Sequence, residues 1–325
     1  MSKRMQCCAA VAIAMLVAGA NQALAQAWPA KPVRVVVPLS AGGGVDTVAR
    51  VFAAKFSEAW NQPVVVDNRP GAGGTIGADL VAKAPKDGYT LLISASSHAV
   101  SASLYPNLPY DALKDFAPAT QIISTYLMLA VNPKVPATSV KELVALAKSQ
   151  PGKLNFGSTG SGSAPHLVSE LFRLEAGIDV VHVPYKGDRP LQPALLGNDV
   201  QYAFLTPIAV MQHVKTGRLR AVAVTGTQRA SIAPDVPTIA EAGLPNAGYV
   251  GWMGIFAPGG TPRDVLEKIA GETARILKMP DIASKVPGWG GEAAGTRPEE
   301  FTARFRSDVA KFARIIKEAR VPQVK

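Results

Sequence analysis

A buried strand that runs into a glycine loop and then into a helix constrains the fold of this chain more than any other feature. Residues 33–37 read VRVVV, a continuous β-branched run typical of a strand that is covered on both faces. Small residues follow at 40–44, and apolar residues then recur at helical spacing. The same order of strand, loop and helix returns at 154–157 and 158–163. This alternation predicts an α/β fold with largely parallel sheets.

The first 25 of the 325 residues have the layout of a secretory signal peptide. Lys3 and Arg4 precede the apolar run 9–18, which is too short to span a bilayer, and residues 23–25 fit an A-x-A cleavage site. We therefore expect cleavage of residues 1–25 and export to the periplasm. The remaining chain is longer than most single cores require, which predicts two lobes.

The composition argues against several kinds of chemistry. The two cysteines, Cys7 and Cys8, both lie in the predicted leader, so no thiol is left for catalysis, disulfides or metal binding. The four histidines lack the spacing of metal ligands. A net charge of +10 suits anionic solutes or nucleic acid, but aromatic residues are only 6% and no Lys/Arg run reaches five. We expect no cofactor, no metal and no nucleic acid.

Two small-residue loops are the candidate binding elements. Residues 40–44 (SAGGG) and 158–163 (STGSGS) each lie between a strand and a helix, and Ser163 is the expected cap of the second helix. Helix N-termini leave N–H groups unpaired and carry partial positive charge, and glycine lets an anion approach the backbone. A plain tight turn is the alternative for the first loop, although three consecutive glycines exceed what a turn needs.

Nucleotide binding and hydrolysis each lack a required residue. The stretch 68–77 resembles a dinucleotide fingerprint, but Ile76 stands where the last glycine is needed, and neither loop contains G-K-[ST]. Ser161 is not in a G-x-S-x-G elbow, because Thr159 and Ser163 flank it. His166 is placed to orient or cap rather than to act as a base, so we do not expect an enzyme.

Another candidate position follows the predicted strand 180–183. Ligand groups in open α/β sheets lie at the carboxyl ends of strands. Tyr185 there can hydrogen-bond a carboxylate and Lys186 can add positive charge. A solvated lysine on a turn explains the same residues equally well, so both interpretations stay open.

Seven blocks, in order along essentially the whole mature chain, resemble the extracytoplasmic solute receptors of tripartite tricarboxylate transporters, the Bug or TctC family. The blocks are 31–34 (KPVR), 38–46 (PLSAGGGVD), 64–74 (VVVDNRPGAGG), 87–92 (DGYTLL), 108–111 (LPYD), 182–187 (HVPYKG) and 237–245 (PTIAEAGLP).

The resemblance implies a type II periplasmic-binding-protein fold, with two α/β lobes joined by crossover strands around a ligand cleft. Residues 26–126 and 251–325 would form the first lobe, and 127–250 the second. The family implies a small organic acid as ligand: a di- or tricarboxylate, an amino-dicarboxylate or an aromatic acid. Lobe closure would capture it for integral-membrane transporter subunits, and we expect a monomer. A receptor for a membrane sensor is the alternative, and a secreted hydrolase a more distant one.

The family's binding positions can be carried over residue by residue. Three departures leave the ligand open: Ser40-Ala41 precede the glycines, Asp188-Arg189 follow the Tyr-Lys-Gly block, and Gln201 replaces an expected acid. Whether Lys186 or Arg189 reaches the ligand is also open. The implied ligand-binding residues are Leu39, Ser40, Gly42, Gly43, Val45, Asp46, Ser94, Ser96, Ser97 and His98 in the first lobe, and Ser158, Thr159, Gly160, Ser161, Ser163, His166, Tyr185, Lys186, Gly187, Thr206 and Pro207 in the second.

Overall fold

The computed structural model describes residues 28–185 and 187–324. The predicted leader at 1–25 and Lys186 lie outside this part of the chain. Strands β1 to β11 are Val33–Val37, Val64–Asn68, Thr90–Ala95, Phe116–Thr125, Met128–Val131, Asn155–Ser158, Val181–Pro184, Tyr202–Leu205, Arg220–Val224, Gly251–Pro258 and Gly291–Ala293. Helices α1 to α10 are Gly44–Trp60, Thr75–Ala82, Ser97–Leu104, Val140–Ser149, Ala164–Ala176, Asp188–Gly197, Pro207–Lys215, Arg263–Leu277, Pro280–Ala283 and Pro298–Glu318.

The strands form two sheets. The first has the strand order β11-β4-β10-β3-β1-β2, and the second has the order β7-β6-β8-β5-β9. Strands β1, β2 and β3 run parallel, as do β6, β7 and β8. Strands β10 and β5 run antiparallel to their neighbours. The predicted α/β architecture is confirmed, and its parallel strands are those that carry the candidate loops.

Two connections join the sheets. Strand β4 of the first sheet leads into β5 of the second through only Tyr126 and Leu127, and after β9 the chain returns to the first sheet as β10. The first sheet takes its strands from 33–125 and 251–293, and the second from 128–224. The chain thus visits the lobes in the predicted order, while the lobe boundaries themselves stay a prediction.

Strand β1 is buried on both faces, as its unbroken β-branched run predicts. Val35 belongs to an apolar cluster with Phe52 of α1, whereas Val36 belongs to a cluster with Phe305 of α10. The Val36 cluster continues into the second lobe, where it includes Phe172 of α5. Apolar packing therefore joins the two lobes beside the crossover strands.

Helix α10 connects the two lobes through its packing. It contacts α3 and β4 of the first lobe and α5 of the second. Its buried residues include Phe301, Phe305 and Phe312, and charged residues cover much of the rest of the helix. In the described part of the chain, no helix combines the length and the apolar character that crossing a bilayer requires.

Candidate ligand-binding cleft

The first loop joins β1 to α1 at the carboxyl end of the parallel strands. Residues 40–44 are exposed, and Gly42 has a φ of 79°, which glycine adopts without strain. Gly43 is the helix N-cap and has no side chain to satisfy the first turn. Within the described residues, the N–H groups of Gly44 and Val45 accordingly have no acceptor. The loop presents a helix N-terminus to solvent.

Asp46 lies beneath this loop with only 3% of its surface exposed. Its Oδ2 accepts the Gly42 N–H at 2.8 Å and Arg50 Nε–H at 3.0 Å. Its Oδ1 accepts from Asn68 Nδ2 at 2.9 Å, and the same amide donates to the Leu39 carbonyl at 3.2 Å. Burial alone would raise the pKa of Asp46, but these hydrogen bonds together lower it. The ionised carboxylate shapes the loop, and its contact with a ligand stays a prediction.

The second loop joins β6 to α5. Ser163 is the N-cap, as predicted: its Oγ accepts a backbone N–H of the first turn and donates to the Gly160 carbonyl at 2.7 Å. Gly160 and Gly162 have φ values of 136° and 76°, which few other residues adopt. In the part of the chain that the structure describes, the N–H groups of Thr159 and Ser161 have no acceptor. This loop also presents free donors at a helix N-terminus.

The segment after β7 lies against the second loop. The Tyr185 N–H donates to the Ser158 carbonyl at 2.9 Å, and the Gly187 N–H donates to the Thr159 carbonyl at 3.1 Å. These bonds extend the parallel pairing of β6 with β7. The structure thus brings Tyr185 and Gly187 to the loop, while Lys186 lies outside the described residues.

The two lobes also meet at the end of β8. Thr206 is the N-cap of α7, and its hydroxyl makes no hydrogen bond to the helix. Pro207 packs so closely on Gly290 of the first lobe that a Cβ at Gly290 would lie 3.0 Å from Pro207 Cδ. Thr206 and Pro207 therefore lie where the lobes approach each other.

The segment after β3 turns inward. Ser94 and Ser96 are at most 3% exposed. Ser96 Oγ accepts the Trp252 N–H at 2.8 Å, and the Ser96 N–H donates to the Trp252 carbonyl at 3.1 Å. Ser96 therefore fastens the end of β3 to the crossover strand β10. Of these serines, Ser97 alone keeps part of its surface open.

His98 lies in the aromatic core of the first lobe. Its side chain is buried, with its ring centroid 4.5 Å from that of Phe116 and 5.4 Å from that of Phe305, on which it stacks. Its Nε2 has no hydrogen-bond partner among the described residues, and burial lowers the pKa of the imidazole to about 3. Helix α3 directs this ring toward α10, so we leave His98 out of the proposed site.

Replacing this ring is expected to change the acid stability of the protein. A folded-state pKa of about 3 against an ordinary 6.5 means that the unfolded chain takes up the proton first. The contribution of neutral His98 to the free energy of unfolding should therefore be complete above pH 6.5 and be lost progressively as the pH drops toward 3. Between pH 7.5 and 4.5, wild type should lose about 2–3 kcal/mol more than His98→Phe in urea titrations. Equal losses would contradict this assignment.

His166 and two residues that the sequence did not single out lie behind the loops. His166 is 3% exposed and its Nδ1 accepts the Gly162 N–H at 3.0 Å, so it contacts the loop from the core side. His182 Nε2 is 2.7 Å from Ser158 Oγ. Asn68 ends the strand beside β1, opposite Val37. Strand-end position was the available signal for Asn68, whereas only the register of β6 with β7 places His182.

Two cavities lie away from these loops. One of about 100 Å³ is at the crossover, where Tyr126, Gln228 and Glu292 line it. The other, of about 330 Å³, lies between α8 and the start of α10 and includes Arg263 and Arg297. No three His, Cys, Asp or Glu side chains of residues 28–185 and 187–324 group as metal ligands. The candidate site therefore consists of the two small-residue loops and the segments that lie against them.

Two α/β lobes, two crossover connections and two small-residue loops at helix N-termini are together the features of a two-lobed solute-binding protein. Residues 48–321 match the model of the tripartite tricarboxylate transporter family receptor, TctC. The chain belongs to this family, and with it to the type II periplasmic-binding-protein fold that its sequence predicts. Protein BugT of Bordetella pertussis (strain Tohama I) is 36% identical over 296 residues, covering 90% of this chain and 91% of BugT.

Solved structures agree with this placement. Rpa4515 of R. palustris, determined with adipate, has a TM-score of 0.81 at 34% identity, covering 91% of this chain and 100% of Rpa4515. The periplasmic binding protein BugD has a TM-score of 0.77 at 32% identity, covering 91% and 99%. MatC (Rpa3494) of Rhodopseudomonas palustris, with bound malate, has a TM-score of 0.77 at 29% identity, covering 89% and 100%. This chain thus shares its fold with two proteins whose structures were determined with a small carboxylate, adipate or malate.

Proposed function

We propose that this protein is a periplasmic receptor that captures a small carboxylate between its lobes and delivers it to the membrane subunits of a tripartite transporter. The observation that carries the proposal is the pair of loops, each at a helix N-terminus with N–H groups that lack an acceptor in the described part. Such donors favour an anion. The adipate and malate bound by two family structures support a dicarboxylate. The signal-peptide pattern and the description of BugD as periplasmic support the location.

Capture follows from the placement of the donors. A carboxylate that bridges both loops binds the closed arrangement of the lobes better than the open one and thereby shifts the population toward closure. Charge-assisted hydrogen bonds contribute about 1.5–3 kcal/mol each, and exclusion of water strengthens them. A few such bonds, less the cost of ordering, suffice for micromolar binding, about −8 kcal/mol.

We propose a receptor rather than an enzyme. Ser161 is exposed at the tip of the second loop, but the two nearby imidazoles are engaged elsewhere. His166 accepts the Gly162 N–H, and His182 is hydrogen-bonded to Ser158. A serine nucleophile needs an adjacent, oriented base, and neither ring is hydrogen-bonded to Ser161.

A panel of acids tests the binding. Protein stripped of bound solute by unfolding and refolding is titrated calorimetrically with adipate, malate, citrate, glutamate and benzoate, and with neutral adipamide as the matched control. We expect at least one acid to bind at micromolar Kd or tighter, and adipamide not to bind. At 100-fold excess over Kd the acid should stabilise the fold by about 2.7 kcal/mol and raise Tm by about 5 °C. Absence of binding by every acid would refute the proposal.

Growth separates delivery from sensing. A deletion strain supplied with the bound acid as sole carbon source should fail to take it up, and plasmid-borne wild type should restore uptake. Normal uptake with loss of the transcriptional response to that acid would favour a receptor for a membrane sensor instead.

A further inference from the structure

Two stacked histidines lie directly beneath the second loop, residues 158–163. His166 is at the start of α5 and His182 is on β7, and their ring centroids are 3.9 Å apart with planes inclined by 13°. Phe156 of β6 stacks on His182 at 4.9 Å. His166 is buried and His182 is partly buried, so the pair forms the floor of the loop rather than part of its open surface.

Each ring binds a different part of the loop. His166 Nδ1 accepts the Gly162 N–H at 3.0 Å, so this nitrogen carries no proton. His182 Nε2 is hydrogen-bonded to Ser158 Oγ at 2.7 Å, and Ser158 Oγ in turn accepts the Gly160 N–H at 3.2 Å. The two glycine N–H groups of the loop are therefore directed to the floor and are unavailable to a ligand.

This arrangement determines which backbone N–H groups of the second loop stay available to a ligand. With the N–H groups of Gly160 and Gly162 occupied, those of Thr159 and Ser161 are left without an acceptor within the described residues. Leu104 of the first lobe confines Gly162 from another side, because a Cβ there would lie 1.8 Å from Leu104 Cδ2. The loop is thus held between an imidazole nitrogen and an apolar side chain of the other lobe.

The charges around the stack favour a fixed tautomer of His166. Its second nitrogen, Nε2, faces Glu170 Oε1 at 3.7 Å, and Glu170 Oε2 accepts from Arg173 Nε at 2.7 Å. With Nδ1 acting as an acceptor, the single proton of neutral His166 is on Nε2, pointing toward the carboxylate. Burial is the main cause that lowers the pKa of His182 to about 4, so the stack carries no His182 charge at neutral pH.

We propose that His166 is a positioning residue that determines which N–H groups of the second loop meet the carboxylate, with His182 supporting it through Ser158. The proposal rests on the proposed function, since the N–H groups left free are those assigned to the ligand. His166 does not touch the ligand in this assignment. It acts through the acceptor that it provides for the Gly162 N–H.

A matched pair of substitutions separates positioning from packing. His166→Asn removes the ring and its stack but places an amide oxygen near the position of Nδ1, so it can still accept the Gly162 N–H. His166→Phe keeps an aromatic ring on His182 but provides no acceptor. Affinity for the best acid of the panel is measured by calorimetry, and stability by thermal unfolding, for both variants and wild type.

The two variants are expected to rank in opposite orders: His166→Asn should bind the acid more tightly than His166→Phe but unfold at a lower temperature. We expect His166→Phe to weaken binding at least about tenfold, and His166→Asn to stay within about threefold of wild type although it loses the stack and unfolds at a lower temperature. Affinity losses in His166→Asn equal to or greater than those in His166→Phe would overturn the proposal, because packing alone would then account for the role of the ring.

A ligand-free measurement keeps this inference distinct from the proposed function. In ¹⁵N-labelled wild type, NMR should show His166 as the Nε2–H tautomer with a scalar coupling across the bond from the Gly162 N–H to Nδ1. If no acid binds wild type, the proposed function fails and the NMR result decides whether His166 organises the loop. Finding the Nδ1–H tautomer would overturn the inference whatever the panel shows.

Discussion

Asp46→Ala is expected to weaken carboxylate binding at least about 100-fold, or about 2.7 kcal/mol, and to lower the free energy of unfolding by about 2–4 kcal/mol. The buried carboxylate accepts three hydrogen bonds, from Gly42, Arg50 and Asn68. Charge-assisted hydrogen bonds contribute about 1.5–3 kcal/mol each, and the bond from Arg50 contributes less because this side chain is largely exposed and stays solvated. Without its acceptor, the Gly42 N–H no longer holds the first loop in shape.

The change also removes a negative charge near an anion site, which by itself would strengthen binding, so a charge control is needed. Asp46→Asn removes the charge but keeps an oxygen for the Gly42 N–H. We expect its affinity to lie within about tenfold of wild type, well above that of Asp46→Ala, in calorimetric titrations with the same acid. Equal losses in the two variants would show that charge, and not the shape of the loop, is what Asp46 contributes.

The pH dependence of Asp46 gives a further check. Hydrogen bonding places the folded-state pKa of Asp46 below its ordinary value of 3.8, despite the opposing effect of burial. Its contribution to stability is therefore present above pH 3.8 and is lost as the pH falls through the folded-state pKa. The difference in unfolding free energy between wild type and Asp46→Ala should accordingly shrink below about pH 4.

The course of the fold could be predicted from the sequence because its signals are local. The run VRVVV predicts a strand buried on both faces, and the structure confirms this for residues 33–37. Glycine and serine at 40–44 and 158–163 mark the two loops, and a cap at Ser163 needs only the residues around it. The identity of the crossover strands, by contrast, could not be predicted from local signals. It depends on the pairing of β4 with β10, which lie over 125 residues apart in sequence.

The side chains of the candidate site were harder to predict because their direction depends on packing across elements. His98 and His166 both follow small-residue segments at helix starts, yet each ring lies in the core: one on Phe305 and the other on His182. Sequence spacing places a residue on a helix but does not say which neighbouring element will cover it. The positions of the loops were predictable because clustered glycines permit the positive φ values that tight loops require, as at Gly42, Gly160 and Gly162.

Asp308→Ala is expected to lower the free energy of unfolding by about 3–5 kcal/mol. Asp308 of α10 is buried, and its Oδ2 accepts from Trp252 Nε1 at 2.8 Å and from Arg304 Nε at 2.9 Å. Arg304 also donates to the Val250 carbonyl, and Lys311 Nζ donates to the Gly248 carbonyl at 3.2 Å. These bonds fasten the start of the crossover strand β10 to α10. The substitution leaves the indole N–H buried without an acceptor.

Since Ser96 fastens the other side of Trp252, loss of Asp308 should also disturb the path by which the second lobe returns to the first. Asp308→Asn is the matched control, because its amide oxygen can still accept from the indole. In urea titrations we expect it to lose only about half of the unfolding free energy that Asp308→Ala loses. Trp252→Phe in the Asp308→Ala background removes the orphaned N–H, and we expect it to cost less than Trp252→Phe in wild type. If Trp252→Phe costs the same free energy of unfolding in both backgrounds, Asp308 and Trp252 are not coupled and the bond does not secure the crossover.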